Sequence, residues 1–89
     1  MAFQSFASER FWQLYRELPV EVRRLADKQY RLFRVDPFHP SLHLKQAGEV
    51  WTVRIGRSYR AIGYRDGNSS YWAWIGSHEA YNKLLGRMK

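Results

Sequence analysis

The stretch VWTVRIGRSYRAIGYR, residues Val50 to Arg65, sets the fold class. Two runs rich in β-branched and aromatic residues flank Gly56-Arg57-Ser58, and apolar residues alternate with polar ones within each run. Alternation at period two marks a half-buried strand, and a short glycine-bearing interruption between two such runs marks a hairpin. With Gly56 to Ser58 as the loop, Ile55 faces Tyr59 and Arg54 faces Arg60. Directly opposed residues project from the same sheet face with Cβ atoms about 5 Å apart. Like charges placed this way repel, so the pair is either two arginines on a solvated face or a cradle for an anion. A slip of one residue would break the pairing.

Outward from the hairpin, period two continues. Strands are expected at about Leu42 to Lys45, Val50 to Ile55, Tyr59 to Arg65 and Tyr71 to Ile75, with turns at Gly48, at Gly56 to Ser58 and at Asp66-Gly67-Asn68. The short connections make the last three an antiparallel meander. Before Asp36 the period is 3.6. Ser8 can cap a helix from Glu9 to Leu18, whose Phe11, Leu14, Tyr15 and Leu18 form one apolar stripe. Pro19 ends it and suits the first turn of a second helix reaching about Val35, with Val22, Leu25, Ala26, Leu32 and Phe33 on its buried side. Asp36-Pro37-Phe38-His39-Pro40 is a stiff connector. A last short helix starts near Ser77 or His78 and carries Tyr81, Leu84 and Leu85. The expectation is an α+β fold: an N-terminal helical hairpin packed on a twisted antiparallel sheet of about four strands, closed by a short C-terminal helix, all in one domain over residues 1–89.

Composition agrees with a packed domain that holds an anion. Of the 89 residues, 45% are apolar and 17% aromatic, so large rings supply much of the core. Fifteen Lys and Arg against eight Asp and Glu give a net charge of +7. Arg outnumbers Lys by eleven to four, and a guanidinium binds phosphate through two hydrogen bonds where an ammonium offers a point charge. A basic domain with interleaved aromatics points to nucleic acid, RNA before others, although an acidic protein would satisfy the same charge. There are no cysteines, which removes disulfides and thiolate metal sites. With no signal-peptide pattern and no run of 18 apolar residues, the expectation is a cytoplasmic protein without a membrane partner.

Candidate site residues cluster around the hairpin. Arg54 and Arg60 come first, with Arg57 in the loop, Arg65 at the end of the second strand, and Lys45 at the end of the preceding strand as further cationic contacts. His78 starts the last helix, and Tyr81, three residues on, shares its face. Only histidine titrates near neutrality without special help, so His78 is either a proton-transfer group or a helix-start residue bonded to a neighbour. Tyr81 is equally a core ring. Tyr64, Tyr71 and Trp72 are candidates for stacking on bases. His39 and His43, around Pro40, have no acidic partner at metal-site spacing, so neither a metal nor another cofactor is expected. Glycine-rich phosphate loops, GxSxG, HExxH and zinc-finger spacings are missing from the sequence.

Leu18-Pro19, the Asp36 to Leu42 connector, Leu44-Lys45, Trp51 to Ile55, Tyr59 to Tyr64 and Trp74 to Tyr81, in that order and spacing, resemble a bacterial toxin of the RelE/ParE superfamily. The resemblance covers nearly the whole chain, from Phe6 to Leu85. It implies two N-terminal helices on a twisted antiparallel sheet and a partner, the cognate antitoxin. It further implies either a metal-independent endoribonuclease that cuts mRNA, with the ribosome as a further partner, or, in the ParE branch, an inhibitor of DNA gyrase. A non-catalytic RNA-binding module is the remaining reading. By the resemblance Arg60 matches the arginine of the (H/Y)-R-x-x-x-Y strand that contacts the scissile phosphate. Arg54 matches the basic residue of the W-S-x-R-I strand, and Lys45 the lysine of the L-K strand. His78 and Tyr81 lie where nuclease members carry C-terminal catalytic His or Tyr residues. Two features depart: the lysine-rich strand of RelE is missing, and Leu42 stands where the YoeB subgroup has a glutamate base.

Overall fold

A computed structural model describes residues 4–67 and 69–87. The hairpin forms in the expected register: strand β3 (Val50–Ile55) lies antiparallel to β4 (Tyr59–Asp66), with Arg54 opposite Arg60 and Ile55 opposite Tyr59. Gly56 turns the chain at φ +60°, in the left-handed region where a Cβ is strained. On one side of this pair stands β2 (Lys45–Ala47) and on the other β5 (Ser69–Ser77), both antiparallel. Of the expected Asp66 to Asn68 turn, Asn68 lies outside the described residues.

A fifth strand completes the sheet. β1 (Gln4–Ala7) runs parallel to β5, pairing Gln4 with Ser69 and Ala7 with Trp72, and the order is β1-β5-β4-β3-β2. The sheet is therefore mixed, where an all-antiparallel sheet of about four strands was expected. Nothing local in Gln-Ser-Phe-Ala announces a strand, because its hydrogen-bond partner lies at the far end of the chain.

The helices follow from their caps. Helix α1 (Glu9–Arg16) starts at Ser8, whose hydroxyl accepts from the Phe11 amide at 3.1 Å. It ends two residues before the expected Leu18, because a residue preceding proline is driven out of helical geometry. The Glu17 and Leu18 amides still reach the carbonyls of Leu14 and Tyr15, at 3.2 and 3.1 Å, as a tightened last turn. Helix α2 (Val20–Val35) opens on Pro19, whose carbonyl accepts from Val22 and Arg23 at 3.0 Å each. Helix α3 (His78–Arg87) starts where expected, and Ser77 Oγ accepts from the Ala80 amide at 3.1 Å.

Both N-terminal helices cover one face of the sheet, α1 over β5 and α2 over β3. Phe33, from α2, is the centre of the core: it meets Trp51 and Trp72 edge-on at 5.6 and 5.1 Å. Ala61, Val53, Ile55 and Ile75 complete it. Trp72 is thus buried and not available for bases, contrary to expectation. Leu25 departs in the other direction. It remains 41% exposed and lies over the turn, where a Cβ on Gly56 would meet its Cδ1 at 3.1 Å.

The segment expected as a strand from Leu42 to Lys45 is largely something else. Residues Pro40–Leu42 form a 3₁₀ turn, with the His39 Nδ1 accepting from the Ser41 amide at 3.2 Å, and His43 leaves it at φ +46°. Proline fixes the first φ and the histidine ring serves as the side-chain cap, so a turn wins over extension. Its product is Leu42, fully buried as a plug of the core. His39 therefore has a structural task.

Candidate functional site

Away from α1 and α2 the sheet presents its second face, and strand register arranges it in three rows. Directly opposed residues share a face, so Arg54, Arg60 and Gly76 form the row nearest the hairpin turn. Lys45, Thr52, Ile62 and Trp74 form the next. Val50, Tyr64, Tyr71 and Phe6 form the third. Adjacent rows lie about 7 Å apart, two residues along each strand. A bulge at Ile62/Gly63 leaves Ala73 of β5 unpaired in the ladder, which lets Trp72 enter the core while Trp74 faces outward.

The first row opens into a cleft of about 240 Å³ lined by Arg54, Arg57, Tyr59, Arg60 and His78. The two guanidinium groups are held apart. Arg54 Nε donates to the Gly56 carbonyl at 3.0 Å, toward the turn. Arg60 leans the other way: its Nε donates to His78 Nδ1 at 3.4 Å, and its guanidinium carbon lies 5.3 Å from the centre of the Tyr81 ring. Arg60 Nη1 is buried and has no hydrogen-bond partner among the described residues. A water or an anion would satisfy such a donor, and Arg23 Nε, on α2, is in the same state.

His78 is fixed by its own backbone, whose amide donates to the Ser58 carbonyl at 2.6 Å and ties α3 to the hairpin turn. Its ring stacks on Tyr81 at 6.1 Å, and Tyr81 leans on Trp74 at 6.4 Å. Trp74 in turn lies over Gly76, where a Cβ would stand 2.7 Å from its Cζ2 and Cη2. With Arg60 donating to Nδ1, the neutral imidazole carries its proton on Nε2. In that tautomer Nε2–H can donate to a group in the cleft, while Nδ1 can take a proton only once Arg60 moves off it.

Arg54, Arg57, Arg60, His78 and Tyr81 are thus brought together. Lys45 is on the same face, one strand and one row away. Arg65 is not part of the group. It lies on the helix-covered face, its guanidinium 5.5 Å from the Trp51 ring and its Nε bonded to the Gly67 carbonyl at 2.8 Å. The sequence did not single out Gln29. From α2 its Nε2 donates to the carbonyls of Ser41 and Arg54, each at 3.1 Å, pinning the arginine end of β3 to the helix layer. No local pattern marks it, because its partners come from two other segments. Trp74 entered the sequence reading only as part of the Trp74 to Tyr81 motif, not as the support of Tyr81.

A second cleft, of about 160 Å³, runs between α1 and α2 over the core. It is apolar, walled by Phe11, Trp12 and Tyr15 against Ala26, Tyr30 and Phe33. Tyr15 donates to Asp27 across it at 2.6 Å. That bond, with burial and the carboxylate's charge, raises the Tyr15 pKa above its ordinary 10.0, against a smaller opposing effect of Arg23.

A family model described as the ParE-like toxin domain matches residues 20–83. The chain belongs to this family. Solved toxins share the fold at low identity. A double mutant of the E. coli RelE toxin in the free state superposes with a TM-score of 0.71 at 19% identity, covering 100% of both chains. The RelB-RelE antitoxin-toxin complex from Methanococcus jannaschii gives 0.73 at 11% identity, covering 89% of this chain and 96% of that one. A YoeB/ParE toxin from Agrobacterium tumefaciens gives 0.68 at 13%, covering 84% and 98%. Against curated protein sequences the chain has no significant match. As a ParE-like toxin domain it falls within the RelE/ParE superfamily that its motifs resemble. No described helix is long and apolar enough to cross a membrane.

Proposed function

We propose that this ParE-like domain is the toxin of a type II toxin–antitoxin pair and cuts RNA with its own side chains. The observation that carries the reading is Arg60: a guanidinium with a buried, unpartnered Nη1, directly across the hairpin from Arg54 and 3.4 Å from an imidazole nitrogen. In the proposed step a ribose 2′-hydroxyl oxygen bonds to the adjacent phosphorus as the bond from phosphorus to the 5′ oxygen breaks. The products are a 2′,3′-cyclic phosphate and a free 5′-hydroxyl. One proton leaves the attacking oxygen, one arrives at the departing oxygen, and negative charge builds on the phosphorus oxygens between.

Arg54 and Arg60 face that charge, and fixed donors aimed at developing charge are commonly the largest catalytic contribution. His78 moves a proton, a role worth typically 10²–10⁴-fold. Tyr81 keeps the imidazole and Arg60 in place and stands close enough to protonate. Arg57 and Lys45 hold the flanking backbone. His78 accounts for one of the two proton transfers, and Tyr81, stacked on it, is the candidate for the other.

The protein partner is a cognate antitoxin. RelE toxins from E. coli and Methanococcus jannaschii crystallise in complexes with antitoxins. The apolar cleft between α1 and α2, with Trp12 and Tyr30 exposed at its rim, is a surface such a partner would cover.

The family model's name, ParE-like, favours a second reading, a gyrase inhibitor without nuclease action. Purified protein incubated with RNA, with translating ribosomes and, separately, with gyrase in a supercoiling assay distinguishes them. The nuclease reading expects 5′-hydroxyl products that are lost in His78→Ala and Arg60→Ala while both variants stay folded. Intact RNA with blocked supercoiling would replace it by the gyrase reading.

A further inference from the structure

We propose that the third row of the open face, Tyr64, Tyr71 and Phe6, is a base-stacking subsite that feeds single-stranded RNA to the arginine cleft. The inference rests on the nuclease reading and adds where the substrate's bases sit. Three rings from three strands line up: Phe6 on Tyr71 at 5.3 Å and 19°, and Tyr71 on Tyr64 at 5.7 Å and 25°. Phe6 and Tyr64, at the two ends, are each 49% exposed. An aromatic stack of this kind would bury itself in a core if packing were its purpose. Here β5 keeps its core ring, Trp72, on the other face.

The stack ends at Tyr64 next to Val50, which is 45% exposed, so a flat group can continue it there. That end leads to the basic rows. Lys45 and Thr52 come one row on, and Arg54 and Arg60 one row further. Tyr64 and Arg60 are four residues apart on β4, about 13 Å, which a few nucleotides of extended single strand span. Trp74 and Tyr81 continue an aromatic track beside that path. The partner that offers flat rings and negative charge at alternating positions is a single-stranded nucleic acid, and the chain's +7 charge complements it. Because every base has a π-face, the subsite takes bases without a strong preference among them.

The test uses a labelled 2′-deoxy oligonucleotide, which has no hydroxyl to attack, and an abasic oligonucleotide of equal length and charge. Binding is followed by fluorescence anisotropy. The full protein should bind the base-bearing strand about 5- to 150-fold more tightly for one stacked base. Tyr64→Ala should abolish that preference and Tyr64→Phe should keep it. The salt dependence should be unchanged in Tyr64→Ala and shallower in Arg60→Ala, because only the arginine meets phosphate. Should Tyr64→Ala fail to fold by circular dichroism, Phe6→Ala at the other end of the stack replaces it. Equal affinity for the two strands, or a preference that survives loss of the ring, overturns the proposal. Either result would mark the row as a surface for something other than bases. Since the probe cannot be cut, failure of the RNA cleavage assay would leave this binding result standing, and failure here would leave the cleavage result standing.

Discussion

Strand β4 shows two surfaces in alternate residues. Ala61 and Gly63 are buried against the helix layer, while Arg60, Ile62 and Tyr64 face away from it. On the first face two aromatic rings, Trp51 and Trp72, pack edge-on around Phe33 and the polar groups are few. On the second, Arg54 and Arg60 occupy opposed positions with their guanidinium groups turned apart, and Arg60 keeps a buried donor without a partner among the described residues. Covering one face with helices pays for the unfavourable charge on the other. Core packing and clustered charge are thus separated by parity along a strand, with no need of separate segments.

The largest effect should come from the covered face. Phe33→Ala removes the ring shared by Trp51 and Trp72 and should cost about 3–5 kcal/mol, read by denaturant unfolding. A small chain has little more than that to lose, so the variant should be largely unfolded. A loss below 1 kcal/mol would break the assignment of this face as the seat of stability.

Next, Arg60→Ala should lower RNA cleavage by about 10²–10³-fold without lowering the unfolding midpoint, since the side chain carries an unpartnered buried donor. A parallel fall in stability and activity would erase the distinction between the faces. Gly76→Ala acts at one remove. The added Cβ would stand 2.7 Å from the outer carbons of Trp74. The indole must move and take Tyr81 with it, for an expected loss of up to about 10²-fold in activity and an altered tryptophan emission. Unaltered cleavage would show that Tyr81 needs no support.

The smallest effect belongs to Tyr15→Phe, which removes an exposed hydrogen bond worth about 0.5–1 kcal/mol. Because the folded chain raises the Tyr15 pKa, the phenol's contribution is full below pH 10.0 and fades as pH climbs through the raised value. Unfolding of wild type and variant should therefore differ at pH 8 and converge in strong alkali. A gap that widens with pH would reverse the sign.

Much of this was legible in the residues. The hairpin register followed from a three-residue loop and an approximate period of two, and with it came the facing arginines. His78 at a helix start followed from Ser77 as a cap. Arg65 was misplaced although the signal was present: it stands five residues after Arg60 on the same strand, and an odd separation puts it on the opposite face. Trp72 was a different case, since only the bulge at Ala73 separates its face from that of Trp74. β1 was invisible because four unremarkable residues pair with a strand 65 positions away. Leu42 looked like a strand start because the ring cap from His39 is a tertiary detail of a proline turn. Gln29 and the orphaned Nη1 of Arg60 belong to packing, which a sequence does not print.

Backbone amide shifts during titration with a single-stranded 2′-deoxy oligonucleotide test the division of the two faces most directly. Large changes are expected at Lys45, Arg54, Arg60, Tyr64 and His78, and none beyond noise at Phe11, Ala26, Phe33 and Arg65. Changes concentrated on α1 and α2, with the arginine hairpin silent, would contradict that division.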